Sequence, residues 1–413
     1  MTIEAHFPVA EPLTLDQLLE RLPRDLQHCA EPFEDDSVAF CETVSRELSR
    51  VVGPAWAAAA FFFRRAAIEQ LRRDWYGPRG GSCSARGLVF HVTPGNVETQ
   101  FLYSWLLSVL AGNANIVRIS SKLEPAALEV LHRLGERIQV SAFARIRASN
   151  RIVSYGHDDL VTGALSTRCD VRILWGGDQA ISQIRASPLR PGATEVAFPD
   201  RFSLAVIDSA GFLALPETEQ AGIARNLVND VWTFDQMACS SPKALVWKET
   251  AREADQAARR LTDLVVLELE HRQVRVALVT AMEKLRFGLG LLADGRARRA
   301  RRVSNELVLI EADALDPLRD ASWGGGALVE IRVGDMAGVE RLLRPEDQTL
   351  TYAAFGEPDL ERLVSVAKRA GLRRVVPFGR ALAFSHVWDG IDLLAAMTKV
   401  LVVERRARSG GDA

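Results

Sequence analysis

Residues 87–96 and 111–122 read G-L-V-F-H-V-T-P-G-N and A-G-N-A-N-I-V-R-I-S-S-K. Gly87 to Thr93 is a short apolar run that predicts a strand, and Pro94-Gly95-Asn96 predicts a turn. Glu98 to Leu110 is apolar and long enough for a helix, with Gly112-Asn113 as its stop. Asn115 to Ile119 predicts a second strand. The pattern then repeats. Pro125 opens a helix through about Gln139, followed by strand Arg151–Ser154, helix Asp158–Leu165, strand Val171–Trp175 and helix Asp178–Ala186. Strands alternating with helices at this spacing imply an α/β fold on a parallel sheet. Ligands in such sheets bind beyond the carboxyl ends of the strands. That rule puts Thr93 to Asn96, Arg118 to Lys122 and Trp175 to Asp178 on one rim. No G-x-G-x-x-G follows a strand. Gly176-Gly177-Asp178 is the nearest equivalent, two glycines opening a helix whose N–H groups can approach a phosphate.

Upstream, residues 1–76 read as helical. Thr14 caps one short helix and Ser37 a second, Gly53-Pro54 breaks the chain, and Ala55 to Trp75 follows. Tyr76 to Arg86 is a Gly/Ser-rich connection. The chain has 413 residues, room for two or three domains. Its 48% hydrophobic and 25% charged residues are those of an ordinary globular protein. A net charge of −2 supplies no field that favours nucleic acid or an anionic membrane. The five cysteines include no C-x-x-C pair, which argues against a disulfide framework or a zinc site. No signal peptide is visible at the start, and Ala55 to Phe63 is far short of the ~20 residues that span a bilayer. A cytoplasmic protein with no membrane span and no nucleic-acid partner is expected.

Residues 229–242 read N-D-V-W-T-F-D-Q-M-A-C-S-S-P. Cys239 lies between a predicted helix, Glu217–Trp232, and a predicted strand, Ala244–Trp247. Ala238, Ser240 and Ser241 surround it, and Pro242 prevents the helix from continuing. A thiol on a tight connection between buried elements is a candidate nucleophile. A small apolar core residue is the competing role. After Trp247, Glu249 to about Leu285 predicts a long charged helix. Residues 296–302, R-A-R-R-A-R-R, form a cationic patch, either a solvated face or a seat for phosphates. The last third returns to α/β texture, with strands at Ala327–Val333, Thr349–Phe355 and Arg373–Val376.

H-V-T-P-G-N (91–96), A-G-N-A-N-I-V-R-I-S-S-K (111–122), W-G-G-D-Q-A-I (175–181) and F-D-Q-M-A-C-S-S-P (234–242) resemble the acyl-CoA reductase family of the LuxC type. That family is similar in fold to aldehyde dehydrogenases. The resemblance implies an α/β, aldehyde dehydrogenase-like chain. Residues 1–76 would be a helical segment, 77–232 a nicotinamide cofactor-binding domain, 233–390 a catalytic domain and 391–413 a C-terminal segment. It implies an oxidoreductase that reduces an acyl thioester to an aldehyde through an acyl-cysteine.

By the same resemblance, Cys239 is the nucleophile, and the Asn96 amide and Cys239 N–H form the oxyanion hole. Thr93, Pro94, Arg118, Ser120, Lys122, Gly176 and Gly177 match cofactor-binding positions. Ser121-Lys122 stands where many NAD-preferring relatives carry an acid, so NADPH is the expected cofactor; no metal is implied. Two positions depart from the aldehyde dehydrogenase pattern. Glu195 is the only glutamate near the position of the water-activating base and is out of register. Ala321-Ser322-Trp323-Gly324 stands where a ribose-binding glutamate is expected. His91, His157 and His386 are candidate proton donors, each with a structural role as the alternative. Acyl-CoA and acyl-carrier thioesters are both open as substrate partners. A homo-oligomer and an acyl-activating partner enzyme are open as well. An acyl-phosphate reductase and a non-catalytic binding subunit are the competing functions.

Overall fold

The computed structural model describes residues 3–26, 29–79, 82–95, 97, 99–249, 251–319, 321, 323–402 and 404, without the side chains of residues 23–26 and 251. The chain divides into two compact units, one comprising residues 1–199 and 384–413, the other residues 200–383. The division therefore falls at Pro199/Asp200, whereas the motif order placed it after Trp232. The reason is strand pairing: Phe202–Asp208 is hydrogen-bonded to Ala244–Lys248, so both belong to the second sheet.

The first unit contains β1 (Ile3–Phe7), β2 (Glu11–Leu13), β3 (Cys83–Ala85), β4 (Leu88–Val92), β5 (Ala114–Ile119), β6 (Asn150–Ser154), β7 (Val171–Trp175) and β8 (Thr194–Phe198). Its sheet runs β2-β1-β6-β5-β4-β7-β8. Strands β6 to β8 are mutually parallel, and β1 joins β6 antiparallel. β4 and β7 are buried at every position, as expected of central parallel strands covered on both faces. The helix Gln100–Leu110 after β4 is buried all round, which explains why its sequence has no polar stripe.

The first 76 residues are not wholly helical. Ile3, Ala5 and Phe7 are buried and alternate with exposed Glu4 and half-buried His6, the period of a strand with one core face. The helices Leu15–Leu26, Asp35–Leu48, Pro54–Phe62 and Arg65–Leu71 follow it in sequence, and Phe40 of the second lies against Phe7 with ring centroids 6.2 Å apart. Near the chain end, Thr398–Val400 pairs antiparallel with β3.

The second unit contains β9 (Phe202–Asp208), β10 (Ala244–Lys248), β11 (Arg299–Arg302), β12 (Val308–Glu311), β13 (Ala327–Val333), β14 (Asp347–Ala353) and β15 (Arg374–Pro377). The order is β11-β12-β13-β10-β9-β14-β15, parallel except for the edge strand β11. One face packs Val246, Val329 and Leu350, the other Trp247, Leu245 and the helices Glu217–Trp232 and Ala251–His271. The long helix expected over 249–285 is two, Ala251–His271 and Leu278–Ala293. Gln273 turns left-handed at φ 54°, with its N–H on Glu270 O and the Val274 N–H on Leu269 O. This is a helix-ending motif usually signalled by glycine, and the sequence carries no such signal. Among the described residues no helix is long and apolar enough to cross a membrane.

Candidate active site

In the second unit, the helix Glu217–Trp232 ends and the chain makes a compact loop before β10. Asp235 and Gln236 both adopt positive φ, 49° and 63°. For non-glycine residues that conformation costs roughly 1–2 kcal/mol each, so something must hold it. Gln236 does. It is fully buried, and its Nε2 donates to Pro242 O at 2.8 Å and Ala327 O at 2.9 Å. Its Oε1 accepts from Gly326 N and Ala327 N, both at 3.1 Å. Every polar valence of the amide is thereby used. The Gly325 N–H donates to Asp235 O at 2.8 Å.

The far side of the loop is held from β9, where Ser203 Oγ donates to Cys239 O at 2.7 Å. Ala238, Ser240 and Ser241 are buried, whereas Cys239 is exposed. Of the five cysteines it alone is exposed. Burial pushes the thiols of Cys29 and Cys41 up, and that of Cys169 to about 11. The Ser240 and Ser241 hydroxyls are buried and have no hydrogen-bond partner among the described residues.

Beneath the loop, Lys243 Nζ donates to Gln236 O at 2.6 Å and to Trp323 O. Burial pushes its pKa down to about 8, while the negative charge of Cys239 acts in the opposite direction. Sequence reading missed Gln236, Ser203 and Lys243. Gln236 and Lys243 flank the cysteine in sequence, but their roles depend on contacts up to 91 residues away.

The first unit carries a second cluster. The strands fan outward from β4, with β5 and β6 on one side and β7 and β8 on the other. In open α/β sheets such a reversal of direction marks the place where ligands bind, here the carboxyl ends of β4 and β7. Thr93 and Pro94 follow β4, Ser120 and Lys122 follow β5, and Gly176 and Gly177 follow β7, so these residues share one rim. Thr93 Oγ1 donates to Arg118 O at 3.1 Å, joining the first two loops. A Cβ on Gly95 would come within 2.8 Å of Ser120, so glycine permits the approach. Gly176 has φ 157°, and a side chain there would face nearly open space.

Arg118 lies over the Tyr155 ring at 5.2 Å and donates to Tyr155 O at 3.3 Å, and its Nε is buried with no partner among the described residues. Lys122 is exposed. Asn96 lies outside the described residues, as does Ser322. Trp323 O takes the Lys243 proton contact instead of supplying any acid.

Two of the remaining sequence candidates, Glu195 and His91, have structural partners. Glu195 accepts from Arg172 Nε at 2.8 Å and pairs with Arg185 at 2.6 Å. It is held as a two-arginine ion pair. His91 is fully buried between Ser104 Oγ at 2.7 Å and Asn115 Oδ1 at 3.1 Å, and burial lowers its pKa to about 4. It is neutral at physiological pH and serves the core. Burial also lowers the pKa of His386, against the pull of Asp392. His157 is exposed.

The family model for Acyl-CoA reductase (LuxC) matches residues 73–281, just over half of the chain. This chain belongs to the acyl-CoA reductase (LuxC) family. Among curated proteins no sequence matches. Solved structures show the fold. Aldehyde dehydrogenase 21 from Physcomitrella patens, in complex with succinate, superposes with TM-score 0.70 at 12% identity, over 97% of this chain and 93% of that one. A Thermus 1-pyrroline-5-carboxylate dehydrogenase with bound NAD gives 0.66 at 14%, over 95% and 86%. Proline utilization A from Bradyrhizobium japonicum gives 0.65 at 16%, covering 94% of this chain and 45% of that longer one. The LuxC-family chain thus has the aldehyde dehydrogenase-like α/β fold and is an enzyme of the aldehyde oxidoreductase type.

Proposed function

We propose that the chain reduces an acyl thioester, with acyl-CoA as the substrate, to the aldehyde through an acyl-Cys239 intermediate, using NADPH. The observation that carries this reading is the Cys239 loop. One thiol is turned outward on a loop fixed by Gln236 and Ser203, with the Lys243 cation beneath it. A cysteine reacts as thiolate, and a neighbouring ammonium favours that form. Cys239 attacks the thioester carbonyl, the C–S bond to CoA breaks, and the CoA thiolate leaves with the electron pair. The Cys239 N–H and the Asn96 amide are the proposed donors to the oxyanion.

The rim of the first unit fits a dinucleotide. The rim lies at the sheet's point of reversal, Gly176 leaves the backbone open, and Arg118 Nε is buried and has no hydrogen-bond partner among the described residues. Thr93, Pro94, Arg118, Ser120, Lys122, Gly176 and Gly177 are the proposed contacts. When bound, a reduced nicotinamide supplies the hydride. Lys122 and the absence of an acid at 120–122 support NADPH over NADH, because nothing there repels a 2′-phosphate. The two-arginine clamp on Glu195 supports an acyl-Cys239 that persists for reduction in place of hydrolysis, since that carboxylate is engaged and not free to activate water; hydride addition gives a thiohemiacetal that expels the Cys239 thiolate and releases the aldehyde.

The test is NADPH oxidation with acyl-CoAs from short to long, beside Cys239→Ala. Acyl-CoA-dependent oxidation that the variant loses supports the reading. Full activity in Cys239→Ala, or NADPH binding with no turnover of any CoA ester, refutes it.

A further inference from the structure

The arginine-rich segment 296–302 plays no part in the chemistry above. It enters the fold as β11, an antiparallel edge strand beside β12. Strand alternation gives Arg299 and Arg301 one face, while Ala300 packs toward the core on the other. On that first face, β11, β12, β13 and the helix Ala251–His271 enclose a cavity of about 370 Å³. Arg259, Arg299, Arg301 and Arg332 line it, together with Asp255, Glu311 and Glu330.

The cations outnumber the available anions. Arg332 is satisfied by Asp255 at 2.8 Å and Glu311 at 3.2 Å. Glu330 accepts from Trp247 Nε1 at 3.0 Å. Burial raises its pKa, while the Trp247 hydrogen bond and the charges of Arg332 and Arg301 act in the opposite direction. Among the described residues no carboxylate pairs with Arg259, Arg299 or Arg301. Three guanidinium groups that close no ion pair among the described residues therefore share one concave surface, Arg301 acting on Glu330 only at longer range.

We propose that Arg259, Arg299 and Arg301 form a binding site for the phosphate of a small organic phosphate. Planar guanidinium forks match phosphate oxygens in pairs. The volume is at the small-molecule end of ligand cavities, ~300–1,000 Å³. Among the described residues no aromatic side chain lines it, so recognition rests on the phosphate and not on a stacked base. Two sources share this chemistry. One is the phosphate-bearing end of the CoA thioester itself, which rests on the function proposed above. Gln236 ties the Cys239 loop to Ala327, and Arg332 is five residues further along the same strand, about 17 Å at ~3.3 Å per residue. The other is a separate phosphorylated effector.

The test is isothermal titration of the full chain with inorganic pyrophosphate. Wild type binds, and Arg299→Gln/Arg301→Gln weakens binding by at least about tenfold. Arg298→Gln/Arg302→Gln removes equal charge from the same segment outside the cavity and stays within about twofold. Arg259→Gln, on the neighbouring helix, repeats the loss without altering β11. No binding by wild type, or equal loss in both double variants, overturns the site. These binding outcomes do not depend on the reductase reading. If site-variant binding falls and KM for acyl-CoA rises with kcat unchanged, the phosphate is the substrate's own. If KM does not move, the ligand is a separate effector.

Discussion

Gln236 and Ala327 are joined in both directions: the Gln236 amide donates to the Ala327 carbonyl at 2.9 Å and accepts from the Ala327 N–H at 3.1 Å. One side chain thus pairs with the start of β13 as a neighbouring strand would, and ties the cysteine loop to the sheet.

Gln236→Leu keeps similar bulk and leaves Pro242 O, Gly326 N and both polar groups of Ala327 without this partner. Each unpaired buried group costs about 1–3 kcal/mol, so a loss on the order of 3 kcal/mol or more is expected. Urea denaturation measures it. Loop release also lowers kcat more than cofactor affinity. A variant with an unchanged urea midpoint rules out the clamp.

Lys243→Met tests electrostatic activation. The Lys243 pKa is held near 8 by burial, so its charge is present below that pH and fades as pH rises through it. Without the cation, the pH midpoint of Cys239 alkylation by iodoacetamide moves upward by about one unit or more. A purely structural lysine alters the rate without moving the midpoint, and that result defeats the proposal.

Asn96→Ala removes one proposed oxyanion donor. The expected effect is a fall in kcat of about 10²-fold or more, with NADPH affinity little changed. Steady-state kinetics beside a cofactor titration decide this. Weakened NADPH binding with kcat intact assigns Asn96 to the cofactor instead.

His91 makes stability depend on pH. Its folded pKa, about 4, lies below the ordinary 6.5. Between these values the unfolded chain binds more protons, so stability falls as pH drops from 6.5 towards 4. The full shift corresponds to about 3 kcal/mol. Asp230, raised to about 7 by burial, has the opposite sign, losing stability as pH rises from 3.8 to 7. The difference between His91→Asn and wild type is therefore the readout. The Tm gap between them narrows from pH 7 to pH 5, and a constant gap contradicts the assignment.

Much of the sheet scaffold was legible because buried parallel strands are continuous apolar runs. Val171–Trp175 and Asn115–Ile119 are where their composition puts them, as is the rim from Thr93 to Gly177. The β1 strand shows the limit: Ile3, Ala5 and Phe7 alternate clearly, but five residues beside three helices are easily absorbed into a helical segment. Arg299 and Arg301 show another, since a charge run reveals nothing of the edge strand that gives two of its members a common face.

Sequence alone determined the α/β class, the family motifs and the cysteine on a tight turn, because these depend on local spacing and residue chemistry. Tertiary structure decided that Cys239 is the exposed thiol, that Gln236 and Ser203 hold its loop, that Lys243 lies beneath it and that Glu195 is bound by two arginines. It also decided that the chain divides at Pro199. The contacts of Gln236 with Ala327, of Lys243 with Trp323 and of Ser203 with Cys239 join residues far apart in sequence, where burial and hydrogen-bond satisfaction are set by the neighbour that folding supplies.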